Sequence, residues 1–94
     1  MKFIIKNEFN ILNLMRRLGY HPINNGESYS KRIQNREFPR FHVYLKTKKD
    51  GLEFSIHLDQ KAVCYKGHTA HSGDYNGSLL EEEKNRINNQ IKNI

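Results

Sequence analysis

From Phe38 to Asp59 the chain reads FPRFHVYLKTKKDGLEFSIHLD, and apolar and polar positions alternate along most of it. Phe41, Val43 and Leu45 alternate with Arg40, His42, Tyr44 and Lys46; after the break, Leu52, Phe54, Ile56 and Leu58 alternate with Glu53, Ser55, His57 and Asp59. A period of two in aromatic and β-branched residues predicts two strands, each with one face against a core. Asp50-Gly51 between them tolerates the positive φ of a tight hairpin turn. With those two residues as the loop, Tyr44 lies opposite His57 and His42 opposite Asp59. A four-residue loop, Lys48 to Gly51, sets His42 opposite His57 and Arg40 opposite Asp59. Because side chains alternate strictly between faces, both registers leave His42, Tyr44, His57 and Asp59 on one face.

Around this hairpin the pattern changes period. Between Glu8 and Leu18, Ile11, Leu14, Met15 and Leu18 fall on one stripe of a 3.6-residue repeat, which predicts a helix. Asn7 is the expected N-cap, Arg16 and Arg17 complement the negative end of the dipole, and Gly19 suits the position after the C-cap. MKFIIK before it fits either an edge strand or the run-in to the helix. Tyr20-His21-Pro22 leads to the turn signal Asn24-Asn25-Gly26, with His21 expected in a surface loop. Glu27 to Gln34 alternates weakly and predicts another strand. Gln60 to Tyr65 prolongs the hairpin or bends away, and Lys66 to Gly77 reads as a long loop of the kind that often carries function. Ser78-Leu79-Leu80-Glu81 has capping-box spacing, and Leu80, Ile87, Ile91 and Ile94 give the stripe of a final helix. The expected fold is α+β in the order α-β-β-β-α, a three- to four-stranded antiparallel sheet with two helices on one face.

Length sets one domain, residues 1–94, with a single modest core. The formal charge of +6 and an isoelectric point near 9.6 favour an anionic partner, nucleic acid first. No apolar run reaches the roughly 18 residues of a membrane-spanning helix, so no membrane partner is expected. MKFIIK is too short for the apolar region of a secretory signal. The lone Cys64 allows no internal disulfide, which suggests a reducing, cytoplasmic setting, and its neighbours Ala62, Val63 and Tyr65 suggest a small core residue. The glycines form neither GxGxxG nor a phosphate-binding loop, so no nucleotide cofactor is expected.

Five histidines in 94 residues, four of them between 42 and 71, are the chemical outlier. One reading is metal-free RNA cleavage. Histidine exchanges protons near neutrality, so His42 and His57 suit the general base and general acid of 2′-hydroxyl attack, with Asp59 fixing a tautomer. Arg40 or Lys61 would stabilise charge on the phosphate, Tyr44 or Tyr65 would stack on an unpaired base, and Lys46, Lys48 and Lys49 at the hairpin tip would add phosphate contacts. A second reading is a centre for zinc or another first-row divalent metal, with His42, His57 and Asp59 completed by His68 or His71. A third is structural: histidines on a solvated sheet face also bond only to one another and to backbone.

Three short motifs resemble the HicA-type toxins, small basic mRNA interferases with a double-stranded-RNA-binding-domain-like fold. Leu18-Gly19-Tyr20 matches the glycine and aromatic residue that close the family's first helix. His42 matches a histidine on the strand before a tight turn, and Gly77-Ser78-Leu79 matches the step that opens the last helix. Pro39-Arg40-Phe41-His42 stands where the family has Gly-Ser-His-His, and HLDQK and HTAHSGDYNG have no counterpart there. The resemblance implies an endoribonuclease acting on RNA, with His42 at its centre and a protein antitoxin as partner. A protein-interaction module without catalysis is a further expectation.

Overall fold

The computed structural model describes residues 1–6, 10–60 and 73–93, of which 73–76 are described by backbone alone. Five strands form one antiparallel sheet: β1 (Lys2–Ile5), β2 (His21–Ile23), β3 (Ser28–Arg32), β4 (Arg40–Lys48) and β5 (Gly51–Asp59), in the spatial order β1-β5-β4-β3-β2. The helices are α1 (Ile11–Arg17) and α2 (Gly73–Lys92). The α+β class and the helix–sheet order agree with expectation; the strand count is five. The two additional strands are the edges. MKFIIK resolves into β1, and His21–Ile23, expected as loop, pairs with β3 through Pro22 opposite Tyr29. Proline is tolerated there because an outermost strand need not donate every N–H.

The β4–β5 hairpin takes the register that sets His42 opposite His57 and Arg40 opposite Asp59. Its turn is Lys49-Asp50, and Gly51 is already in the ladder opposite Lys48. The reason lies across the sheet. Gly51 has a φ of +145°, and a Cβ built on it would overlap the carbonyl oxygen of Ile5 at the end of β1. Only glycine lets these two backbones approach.

Period two now sorts side chains by face. Phe41, Val43, Phe54, Ile56 and Leu58 form one buried cluster with Ile5, Tyr29 and Leu52, and with Leu14, Met15 and Leu18 of α1 and Ile87 of α2. Both helices therefore cover the same face. The opposite face carries Arg40, His42, Tyr44 and Lys46 of β4 beside Glu53, Ser55, His57 and Asp59 of β5.

The N-cap of α1 is Asn10, whose side chain accepts the Asn13 N–H at 3.1 Å; Asn7 and Glu8 lie outside the described residues. Its C-terminus closes as a Schellman motif, with Gly19 N–H on the Arg16 carbonyl, Tyr20 N–H on the Met15 carbonyl, and Gly19 at φ +91°. The final helix begins at Gly73, five positions before the expected Ser78, so the SLLE spacing and Gly77-Ser78-Leu79 fall within α2. The glycines, aspartate and asparagine of 73–77 read as loop; the helix runs through them.

Candidate functional site

Strands β4 and β5 place Arg40, His42, Tyr44, Lys46, His57 and Asp59 on the sheet face away from the helices, and Asp59 ties Arg40, His42 and His57 together. Its Oδ2 lies 2.9 Å from Nδ1 of His42 and 3.4 Å from Nε of Arg40; its Oδ1 lies 3.1 Å from Nε2 of His57. A carboxylate only accepts, so the facing ring nitrogen of each histidine carries the proton. Nε2 of a neutral His42 is then an acceptor, and Ser28 Oγ, 2.9 Å away, donates to it. Ser28 in turn accepts from Nδ2 of Asn24 at 3.2 Å. The result is one directed relay from Asn24 through Ser28 and His42 to Asp59, onto which His57 and Arg40 also converge.

Burial divides the two histidines. His42 is 6% exposed and Ser28 fully buried. Burial lowers the pKa of His42 below its ordinary value, outweighing the opposing pull of the Asp59 carboxylate, with the His57 and Arg40 charges acting in the same direction as burial. A neutral His42 is what the relay needs. His57 keeps 46% of its side chain exposed. With Nε2–H committed to Asp59, its Nδ1 is the nitrogen left to take a proton.

Tyr44 stands over this cluster. Its ring is 5.7 Å from that of His57 at an interplanar angle of 20° and 4.5 Å from that of His42, and it is 45% exposed. Arg40 lies on the ring of Phe38, with Cζ 4.7 Å from the centroid. Lys46, Lys48 and Lys49 are exposed at the hairpin tip. Lys61, Tyr65, His68 and His71 lie outside the described residues.

Among the described residues, His42, His57 and Asp59 offer donor atoms that all lie within 4.8 Å of one another. Two imidazoles and a carboxylate suit zinc or another first-row ion. Ser28 Oγ could accept the Nε2–H of a His42 that ligates through Nδ1, the outer hydrogen bond that ligating histidines use. The Arg40 guanidinium beside Asp59 acts against a cation.

Sequence reasoning found every charged member of the cluster and missed Ser28 and Asn24. Their only signal is that Ser28 and Ser30, two residues apart, share a face with His42 once β3 is set beside β4. No protein-family model, curated protein or solved structure matches the chain, so its function is read from the site itself.

Proposed function

We propose that the chain binds single-stranded RNA across the open face of its sheet and cleaves it with His57 as general base. The observation that carries the reading is the exposed, nearly parallel pair of Tyr44 and His57 rings at the middle of a face flanked by Arg40 and Lys46. Unpaired bases stack on aromatic faces, and cations beside them hold the backbone, while the deep groove of duplex RNA denies side chains such contact.

In this mechanism Nδ1 of His57 takes the proton of a ribose 2′-hydroxyl. The freed oxygen attacks the adjacent phosphorus, a 2′,3′-cyclic phosphate forms as the P–O5′ bond breaks, and the 5′-oxygen leaves with a proton from water, whose hydroxide takes the proton back from His57. Asp59 fixes the tautomer of His57, and Arg40 stabilises the charge growing on the phosphoryl oxygens. His42 is a positioning residue, since both its nitrogens are engaged and its ring is covered. The test is binding and cleavage of labelled single-stranded RNA, duplex RNA and single-stranded DNA by the whole chain. The expected result is preference for single-stranded RNA, affinity lost in Tyr44→Ala, and cleavage lost with binding retained in His57→Phe, which keeps the stacking ring. Absence of single-strand binding at low salt overturns the reading.

The three convergent donors favour a second reading, a divalent first-row metal held by His42, His57 and Asp59. That arrangement requires His42 to hand its Nε2–H to Ser28 and release Asp59. Elemental analysis of untagged protein, beside His42→Ala, separates the two. Stoichiometric metal lost in the variant establishes the centre; no metal retained after reconstitution removes it.

A further inference from the structure

A cavity of about 560 Å³ opens beside the end of β3 and the start of β4, and its walls include His21, Ser30, Lys31, Arg32, Glu37 and Arg40. Arg32 and Arg40 supply two guanidinium groups and Glu37 a carboxylate; Lys31, opposite Phe41 in the ladder, sends its ammonium to the other face, 5.8 Å from the Phe41 ring. Arg32 and Arg40 stand directly opposite each other in the β3–β4 ladder, where like charges repel and lower stability. Asp59 relieves only Arg40, and through Nε at the long distance of 3.4 Å. Among the described residues no carboxylate is in ion-pair range of Arg32. An anion seated between the two arginines removes the repulsion.

We propose that this cavity is the seat of a phosphomonoester, either the terminal phosphate of a nucleic-acid strand or the phosphate of a free nucleotide. Charge selects the class. A monoester carries about −1.5 to −2 at neutral pH on three acceptor oxygens, which matches two facing guanidinium groups, whereas a diester within a strand carries half as much. Guanidinium groups grip such a phosphate through paired N–H donors. The cavity shares a residue with the site described above: Arg40 lines the one and contacts Asp59 in the other, and Ser30 pairs with His42. Resting on the RNA-binding reading, the inference adds that the strand is held by its end, with the following nucleotides crossing Tyr44 and His57.

The experiment compares one RNA oligomer bearing a 5′-phosphate, a 3′-phosphate or hydroxyls at both ends, at fixed salt, using His57→Phe protein, which cannot cleave and keeps the stacking ring. One phosphorylated form is expected to bind about tenfold tighter or more, as charge-assisted hydrogen bonds imply. Adding Arg32→Ala should bring that ratio close to one without lowering thermal stability, because it removes a repulsion. Adding Tyr44→Ala should weaken all three oligomers and leave the ratio intact. Equal affinity for all three overturns the inference while RNA binding stands. If no oligomer binds, the RNA reading fails, and a nucleoside 5′-monophosphate is titrated against its parent nucleoside. Monophosphate binding lost in Arg32→Ala then upholds the cavity assignment, and its absence overturns it.

Discussion

The hydroxyl of Tyr20 donates to Oε2 of Glu83 at 2.6 Å, joining two residues 63 positions apart. Tyr20 follows the cap of α1, and Glu83 lies in mid-α2, buried to 4% exposure. Arg86 completes the clasp, giving Nε and Nη2 to the same carboxylate at 2.8 Å each and Nη2 to the Leu18 carbonyl at 2.7 Å. One guanidinium thus neutralises a buried acid and satisfies the free end of the neighbouring helix. Burial first, and the adjacent carboxylate second, raise the Tyr20 pKa well above the ordinary phenol range, so it remains a donor at any working pH.

Breaking this clasp at the acid leaves a buried hydroxyl and a half-buried cation without their partner. Glu83→Ala should destabilise the chain by about 3 kcal/mol, the scale for removing one member of a buried ion pair. Tyr20→Phe should cost about 1 kcal/mol, the scale of one hydrogen bond. Urea denaturation of the three proteins checks both values and their order.

His42 gives stability a pH dependence whose sign can be worked out. Its folded pKa lies below the ordinary 6.5, chiefly through burial. Above that value neither folded nor unfolded chain protonates it, and its contribution is fully present. As pH falls below 6.5 the unfolded chain takes up a proton that the folded chain refuses, and stability drops until the folded pKa is reached. The slope is at most about 1.4 kcal/mol per pH unit for one proton. His42→Asn, which keeps a donor toward Asp59, should flatten this portion of the profile in denaturation midpoints measured from pH 7.5 downward.

Gly51 is fixed twice, by its φ of +145° and by the Ile5 carbonyl against it. Gly51→Ala should therefore lower stability by more than the roughly 1 kcal/mol of an ordinary glycine-to-alanine mismatch. Gly26 also has positive φ but has no atom within 4 Å of a built Cβ, so Gly26→Ala should cost less. Thermal melts of the pair separate steric overlap from backbone strain.

Lys46, Lys48 and Lys49 are exposed at one end of the open face. Replacing all three with glutamine should reduce the slope of log affinity for single-stranded RNA against log salt by up to about 2, from roughly 0.7 per phosphate contact. The change should be the same for every base sequence, because contacts to phosphate do not read bases. Titrations at several salt concentrations with two unrelated oligomers check both statements.

What could be read from sequence follows from how each feature is encoded. Phe41, Val43, Phe54 and Ile56 announce their strands because burial of one sheet face writes a period of two into the residues themselves. The convergence of His42, His57 and Asp59 comes with it, since either hairpin register puts them on one side. Ser28 and Asn24 were hidden because their roles depend on how β3 lies against β4, and the alternation of ESYSKRIQ is too weak to specify that. Glu83 was hidden among three consecutive glutamates; its place on the stripe of Leu80, Ile87 and Ile91 was its only mark. The three residues of β2 are too few for any periodicity, and Pro22 at their centre argued against a strand.

That short strand also limits how copies of the chain can associate. An incoming strand at β2 meets three residues whose middle member, Pro22, has no N–H to give, whereas β1 presents four residues, the exposed Ile4 among them. Among the described residues, β1 is therefore the edge better suited to pairing with a second copy. An antiparallel β1–β1 contact would be two-fold and would leave the short, proline-bearing β2 strands at both outer edges of the joined sheet.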